Sequence, residues 1–174
     1  MSSIYKAYAC LGNKEAPQEV IDHMVRLVQD LDREGWTLRT SGGEGPEERI
    51  EIETERKEIH LPWAKFNNRE SKFCRNDKNA NDIVSSFHPT FGSLKPAVQA
   101  IVARQAHVIL GKDLRSPVRF LICWSEDGAE DGKTKSIKTG YMSMPIAIAH
   151  SLSIPIFNLK NPDALQRLKN YLNF

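Results

Sequence analysis

The order in which strand-like and helix-like segments follow one another limits the fold of this chain more than any other feature. Residues 4–11, 36–41 and 57–63 carry the apolar or alternating patterns of β-strands. Between them lie a helix that opens at Pro17 and a second helix at residues 46–56. Strands that alternate with helices over short loops are typical of a parallel sheet covered by helices on both faces. The sequence therefore predicts an α/β fold.

The second half of the chain continues this alternation after a long polar segment, residues 64–82, that has no clear period. The elements predicted there are a helix at 80–87, a helix at 96–110, a strand at 118–124, a helix at 145–152, a strand at 154–159 and a terminal helix from Asn161. No repeat and no linker interrupts the chain, so its 174 residues are expected to form a single domain, 1–174.

Composition excludes several classes of protein. The net charge is +2, from 24 basic and 22 acidic residues, so no general attraction to nucleic acid or to an anionic membrane is expected. No apolar run is long enough to span a bilayer, and the first residues do not resemble a signal peptide. The three cysteines, Cys10, Cys74 and Cys123, are widely spaced and form no metal set with the histidines. We expect buried, reduced thiols, a cytoplasmic location, and neither a metal nor a cofactor.

A strand, a glycine-rich turn and a helix start follow one another at residues 36–48. The turn reads Gly-Gly-Glu-Gly-Pro, and its proline suits the first position of a helix. Glycines let backbone N–H groups approach a phosphate, and the N-terminus of the following helix adds positive potential. The alternative is a tight turn in which the helix's own glutamates, Glu47 and Glu48, satisfy the helix dipole. Both interpretations agree with the sequence.

The residues that follow the predicted strands point to a ligand site. In an open parallel sheet, ligands bind beyond the carboxyl ends of the strands, where the strand order reverses. That edge collects small residues for close backbone approach, aromatic rings for stacking a base, and polar groups for ribose and phosphate. The candidates are Gly12, Asn13, Lys14, Ser41, Gly42, Gly43, Gly45, Glu47, Trp63, Asn67, Trp124 and Glu126. They predict a nucleotide pocket, although any chain of this fold gathers polar residues there.

Two arginines are further candidates, each with a structural alternative. Arg39, within the second strand, could reach a phosphate with both ends of its guanidinium, or form a salt bridge at the sheet edge. Arg104, in the middle of an apolar helix, could bind a ligand phosphate or form a buried ion pair.

Acidic and aromatic candidates also have two interpretations. Glu47 and Glu126 are the candidate catalytic acids or bases, or could hold a ribose hydroxyl. Alternatively, Glu47 complements the helix dipole and Glu126 belongs to a solvated loop. Trp63 and Trp124 could stack a base or simply pack in the core. No Ser/His/Asp order indicates a hydrolase triad.

Several separate segments, in this order, resemble the SLOG superfamily, which includes the DprA-like and LOG (lysine-decarboxylase-like) proteins. The resemblance is greatest to small single-domain members often carried by bacteriophages. The segments are residues 8–14, 35–45, 61–63 with 66–67, 88–89, 103–104 and 122–128. The resemblance implies a Rossmann-like three-layer sandwich with a mostly parallel sheet of about five strands. It also implies a dimer formed through helices that flank the sheet.

The relatives differ in what they do, so the resemblance implies three alternatives. The first is binding of a nucleotide or nucleotide-derived small molecule, with sensing or sequestering of a signalling nucleotide in a phage-infected host. The second is an enzyme of the phosphoribohydrolase type, which cleaves nucleoside phosphates at the N-glycosidic bond. The third is a DprA-like binder of single-stranded DNA, through the basic loop at residues 69–78. No membrane partner is expected.

Two departures from the family pattern weaken the enzyme alternative. Such relatives usually carry a second glycine-rich loop, Gly-Gly-Thr-Gly, where this chain has Gly-Tyr-Met-Ser-Met at residues 140–144. Gly140 remains and Ser143 can still donate a hydrogen bond, but the larger side chains would crowd a phosphate and favour an apolar or aromatic ligand or partner. The expected Arg-Asn pair is Arg104-Gln105 here. Neither change alters the expectation that the protein binds a ligand.

Overall fold

The computed structural model describes residues 4–75 and 77–174. In these residues, five strands form one parallel sheet in the order β3-β2-β1-β4-β5. The strands are β1 (Ala7–Gly12), β2 (Thr37–Thr40), β3 (Lys57–Ile59), β4 (Leu121–Trp124) and β5 (Ile156–Asn158). The α-helices are α1 (Gln18–Arg33), α2 (Pro46–Ile52), α3 (Lys78–Ser85), α4 (Pro96–Leu110), α5 (Ser143–Ser151) and α6 (Ala164–Leu172). The predicted α/β class is confirmed, and the sheet is parallel throughout.

Side chains that alternate along β1 explain why helices cover both faces of the sheet. Ala7, Ala9 and Leu11 belong to a core that they share with α3, α4 and α5. Tyr8 and Cys10 belong to a second core, shared with α1 and α6. A strand buried on both faces reads as a continuous apolar run, which is the pattern that this segment shows. The predicted three-layer, Rossmann-like sandwich is therefore confirmed.

The chain reverses its direction across the sheet between β1 and β4. From β1 it moves outward to β2 and β3, and then returns past β1 to β4 and β5. Gly12 and Trp124 are paired at the ends of β1 and β4. The loops that leave these strands diverge and open a crevice at the carboxyl edge.

β3 and α2 are shorter than the sequence pattern predicts. β3 ends at Ile59 instead of residue 63, because the Leu61 amide donates to the Phe73 carbonyl over 2.7 Å and Pro62 has no amide to continue the ladder. α2 ends at Ile52 instead of residue 56. There the Thr54 hydroxyl donates to a main-chain carbonyl of the last turn over 3.3 Å.

Two helices begin earlier than the sequence pattern predicts. α3 begins at Lys78, two residues before its predicted start, because the Asp77 carboxylate accepts the Asn79 amide over 2.8 Å and caps the helix. α5 begins at Ser143 instead of Pro145, since proline is tolerated in the first turn of a helix. α4 spans 96–110 as predicted.

Within residues 4–75 and 77–174, no helix combines the length and the hydrophobicity that are needed to cross a lipid bilayer.

A substitution at Leu38 tests how much the core between α1 and the sheet contributes to the free energy of unfolding. The Leu38 side chain is fully buried in β2, so Leu38→Ala is expected to lower the free energy of unfolding by about 2–5 kcal/mol through lost burial and a residual cavity. The same truncation at the half-exposed Leu152 is the matched control, with an expected loss of about 0.5 kcal/mol or less. Urea denaturation of both variants measures the difference, and equal losses would contradict this description of the core.

Candidate functional site

A cavity of about 280 Å³ opens at the carboxyl ends of β1 and β2, beside α4. The loop after β1, the glycine turn after β2 and the short turn at Phe66–Asn68 form most of its wall. Tyr141, which is largely exposed, stands at its border. The structure brings together here eight of the predicted site residues: Gly12, Asn13, Lys14, Ser41, Gly43, Glu47, Asn67 and Arg104.

The Glu47 side chain folds back into the glycine turn. Its Oε1 accepts hydrogen bonds from the Ser41 amide at 2.7 Å, the Ser41 hydroxyl at 2.8 Å and the Gly43 amide at 3.4 Å. The Gly45 amide donates to the Glu48 carboxylate at 3.2 Å. These amides, expected as a phosphate cradle, are thus engaged by the protein's own glutamates, as in the alternative interpretation of the sequence.

The Glu47 side chain occupies the space into which a side chain at Gly43 would point. A Cβ added at Gly43 would lie 2.6 Å from Glu47 Oε2, well inside van der Waals contact. The turn and the carboxylate are therefore fitted to each other. An anion that entered this corner would have to displace Glu47.

Burial dominates the electrostatics of Glu47. The residue is 2% exposed, and desolvation raises its pKa, although the hydrogen bonds from Ser41 and the charge of Arg104 act in the opposite direction. Burial also raises the pKa of the neighbouring Glu51, and the charge of Glu47 raises it further. Glu51 is held by the Thr40 hydroxyl at 2.8 Å and by Arg69 Nε at 3.0 Å. A buried carboxyl group with a raised pKa is a candidate for proton exchange with a ligand.

Arg104 presents a buried cation to the same cavity. The residue is 8% exposed, and its guanidinium carbon lies 4.5 Å from the centre of the Phe66 ring. Its Nε and Nη1 have no hydrogen-bond partner among the described residues. Burial lowers the pKa of Arg104 to about 10, against the opposing charge of Glu47, so the group stays cationic at neutral pH. A buried charge without an acceptor is costly, and an anionic ligand would supply the acceptor.

The remaining predicted residues of the cavity either tie its walls together or stand at its mouth. Asn13 Nδ2 donates to the Thr139 carbonyl at 3.0 Å, and Asn67 Nδ2 donates to the Gly42 carbonyl at 3.1 Å. Gly12 packs so closely that an added Cβ would lie 2.8 Å from Pro46. Lys14 is exposed and adds a second positive charge beside Arg104.

Arg39 lies outside the cavity. The parallel register places Arg39 opposite Glu58, and its Nε donates to that carboxylate at 2.9 Å while Nη1 donates to the Ser116 carbonyl at 2.6 Å. Burial alone would raise the pKa of Glu58, but hydrogen bonds from His60 and Tyr5 and the charge of Arg39 lower it to about 2. Arg39 is therefore in the ion pair that the sequence left open as its alternative.

The two tryptophans and Glu126 also lie outside the cavity. Trp124 is 4% exposed and packs in the core with α1. Trp63 is 41% exposed and meets the Phe66 ring edge-on, with 5.1 Å between centroids. Glu126 pairs with Lys138 at 2.9 Å on the exposed surface. Each has a structural partner in place of a contact with the cavity.

Four other candidates shape the surroundings of the cavity. Gly42 and Gly45 have positive φ angles. An added Cβ would lie 2.4 Å from Leu61 at Gly42, and 2.9 Å from Lys14 at Gly45. Gly140 and Ser143 line a neighbouring groove of about 350 Å³ between α4 and α5. The groove and the cavity share Ile101, Gln105 and Tyr141, so they are continuous along α4.

Ile101 and Gln105 were missed as candidates from the sequence. Ile101 precedes Arg104 by one helical turn and Gln105 follows it directly, so both lie near it on α4. The helical period was the signal that could have found Ile101. Phe66 follows the third predicted strand and belongs to the segment 66–67 of the family resemblance, and it lines the cavity.

Comparison with known proteins supports the fold. No family model and no curated protein matches the chain. The structure is similar to DNA processing protein A from Helicobacter pylori, which binds single-stranded DNA, with 16% identity, a TM-score of 0.54, and coverage of 95% of this chain and 72% of that one. A molybdenum cofactor binding protein from Rippkaea orientalis is 15% identical, with a TM-score of 0.40 and coverage of 99% and 100%. The first similarity supports the Rossmann-like α/β fold of this chain.

The raised pKa of Glu47 predicts how stability depends on pH. The folded protein binds this proton more tightly than the unfolded chain, whose pKa is near 4.5. Stability contributed by the protonated form is therefore lost as the pH rises from that value through the raised folded pKa, with a slope of at most about 1.4 kcal/mol per pH unit. Glu47→Gln is expected to flatten this decline.

Glu44→Gln is the matched control, because Glu44 borders the same turn but is exposed. Urea denaturation of the three proteins between about pH 4 and pH 8 gives the slopes. If Glu47→Gln and Glu44→Gln had equal effects, Glu47 would not carry a raised pKa.

Proposed function

We propose that this protein binds a nucleotide or a nucleotide-derived ligand in the 280 Å³ cavity at the carboxyl edge of the sheet. The observation that carries the proposal is the guanidinium of Arg104, which is buried beside the cavity with Nε and Nη1 lacking any acceptor in the described part of the chain. An anionic group of the ligand would complete its hydrogen bonding and neutralise its charge.

Arg104 and Lys14 are the proposed contacts for the ligand's phosphate. Phe66 lies against the guanidinium and holds its plane in one orientation. Because Glu47 and Glu48 already accept the amides of the glycine turn, the phosphate binds through side chains instead of the backbone cradle expected from the sequence.

The ring part of the ligand has apolar and aromatic surface available along α4. Tyr141 and Ile101 border both the cavity and the adjoining groove of about 350 Å³. Ligand pockets commonly measure about 300–1,000 Å³, so a mononucleotide would fill the cavity and extend its base toward the groove. Binding without turnover is what sequestering or sensing a signalling nucleotide in an infected host requires.

Glu47 supports an enzymatic alternative. A buried carboxyl with a raised pKa, beside a cation that can hold phosphate, could protonate or deprotonate a ligand during cleavage of an N-glycosidic bond. The three hydrogen bonds that Oε1 accepts hold the group against the turn. Binding is therefore the primary proposal.

Binding of single-stranded DNA has less support from the basic loop. Arg69, its first cation, donates to Glu51 at 3.0 Å and to the Gly43 carbonyl at 2.8 Å. It braces the glycine turn and is not available for a DNA phosphate. Lys72 and Arg75 are exposed and could contact DNA phosphates. Because such contacts weaken as the salt concentration rises, a steep salt dependence of DNA binding would favour this alternative.

Arg104→Gln tests the binding proposal. Calorimetric titration with a panel of nucleoside mono- and diphosphates should identify a ligand for the wild type, and the variant should bind it at least about tenfold more weakly because a charge-assisted hydrogen bond is lost. Arg119→Gln removes the same charge from an exposed position and should bind normally. If no nucleotide binds, or if the two variants bind equally, the proposal is wrong.

Incubation with the same nucleotides separates binding from catalysis. Chromatography is expected to recover the ligand intact after incubation with the wild type. Release of free base that is lost in Glu47→Gln and kept in Glu44→Gln would instead establish the enzymatic alternative.

A further inference from the structure

Arg104 also lines a second, smaller cavity of about 120 Å³, between α4, the chain after β3 and the segment before α3. Three other cationic side chains line it, from Lys72, Arg75 and Lys112, together with the imidazoles of His60 and His107. Asp77 contributes the carboxylate of this lining. A small cavity with such an excess of positive charge attracts anions.

His107 is the buried polar group that distinguishes this cavity from an ordinary basic surface. The residue is 8% exposed, and its Nε2 has no hydrogen-bond partner in the described residues. Its Nδ1 lies 3.1 Å from the Gly111 carbonyl, which only accepts, so Nδ1 carries the proton. In the neutral ring, Nε2 is then an acceptor. The Asp77 carboxylate, a second acceptor, lies 3.9 Å from Nε2.

His60 keeps the His107 ring in place. The two rings are stacked with 5.9 Å between centroids and 12° between planes. His60 Nε2 lies 3.3 Å from Glu58, which belongs to the ion pair with Arg39. His60 Nε2 is therefore already engaged, whereas Nε2 of His107 is buried without a partner among the described residues.

The size and polarity of the cavity define the class of ligand. Its volume is that of about four liquid waters, which suits a tetrahedral oxyanion. The lining offers both donors and acceptors. A phosphoryl group that retains a proton matches this set, because its P–O⁻ oxygens can accept from the cations while its P–OH donates to His107 Nε2 or Asp77.

We infer that the cavity bounded by Arg104, His107 and Asp77 is a binding site for a phosphoryl group that carries a proton. Arg104 is shared between this site and the first cavity, and its two unpartnered nitrogens give it the capacity to serve both. The phosphoryl group is either inorganic phosphate or the terminal phosphate of a larger molecule. The inference does not require the first cavity to bind a nucleotide.

Titration with inorganic phosphate and with sulfate tests the site directly. At neutral pH, phosphate is expected to bind with a Kd of about 1 mM or below. Sulfate has no proton to donate at this pH, and it should bind at least about tenfold more weakly because one hydrogen bond is lost and acceptors face its oxygens. Equal affinities for the two anions would overturn the assignment.

Variants assign the anion to one cavity. The double variant Arg75→Gln/Lys112→Gln removes two exposed cations of the second cavity and should weaken phosphate binding about tenfold. Lys169→Gln, exposed on α6 and outside both cavities, should leave it unchanged. Lys14→Gln reports separately on the first cavity. If Lys14→Gln weakened phosphate binding and the double variant did not, the anion would lie in the first cavity and the inference would be wrong.

A parallel titration with a nucleoside monophosphate separates the two sources of the phosphoryl group. Phosphate that stays bound while the nucleotide saturates indicates a free oxyanion. Nucleotide binding that the double variant weakens, with phosphate displaced, indicates the phosphate of the larger ligand. If neither ligand responds to the double variant, the inference fails. Failure of nucleotide binding alone would remove the proposed function and leave the phosphate result standing.

Discussion

A buried guanidinium with two nitrogens that lack a hydrogen-bond acceptor among the described residues is the constraint on which the carboxyl edge of this sheet depends. Arg104 stands in the middle of α4, against the Phe66 ring, and two of its nitrogens have no acceptor among the described residues. The two buried carboxylates whose charges act on it have other hydrogen-bond partners: Glu47 is bonded to the glycine turn, and Glu51 to Thr40 and Arg69. The fold thus holds a positive charge at a cavity wall, and the energetic cost of doing so is recovered when an anion binds.

The glycine turn has a different role from the one its composition suggests. In a phosphate cradle, the amides of such a turn are left free for the ligand. Here the Glu47 carboxylate accepts from the Ser41 and Gly43 amides, and a Cβ at Gly43 would force the end of the Glu47 side chain to shift. The turn therefore positions a buried acid at the cavity, while Arg104 provides the charge that attracts the ligand.

The fold could be predicted from the sequence more completely than the site. Pro96 and Gly111 predicted the bounds of α4, and the alternation of strands and helices predicted the parallel sheet. Strand ends were less predictable, because β3 stops where Leu61 bonds to Phe73, a contact between segments distant in sequence. Tertiary contacts of this kind leave no local signal.

The same limit applies to the site residues. The sequence placed the loops after β1 and β2 at one edge, and most of the residues that line the cavity come from them. It could not decide the direction of individual side chains. Arg39 lies opposite Glu58 only because of the register between β2 and β3, and the pairing of Arg39 with that carboxylate follows from this register. Arg104 had the same two alternatives, and only the three-dimensional arrangement shows that its Nε and Nη1 have no hydrogen-bond partner among the described residues.

A crystal structure of the protein grown with its tightest-binding nucleotide tests the central claim most directly. The account predicts a phosphate oxygen within hydrogen-bonding distance, about 2.7–3.2 Å, of the Arg104 guanidinium, with Glu47 still bonded to the glycine turn. A nucleotide bound elsewhere, with Arg104 paired to a carboxylate of the protein itself, would contradict it.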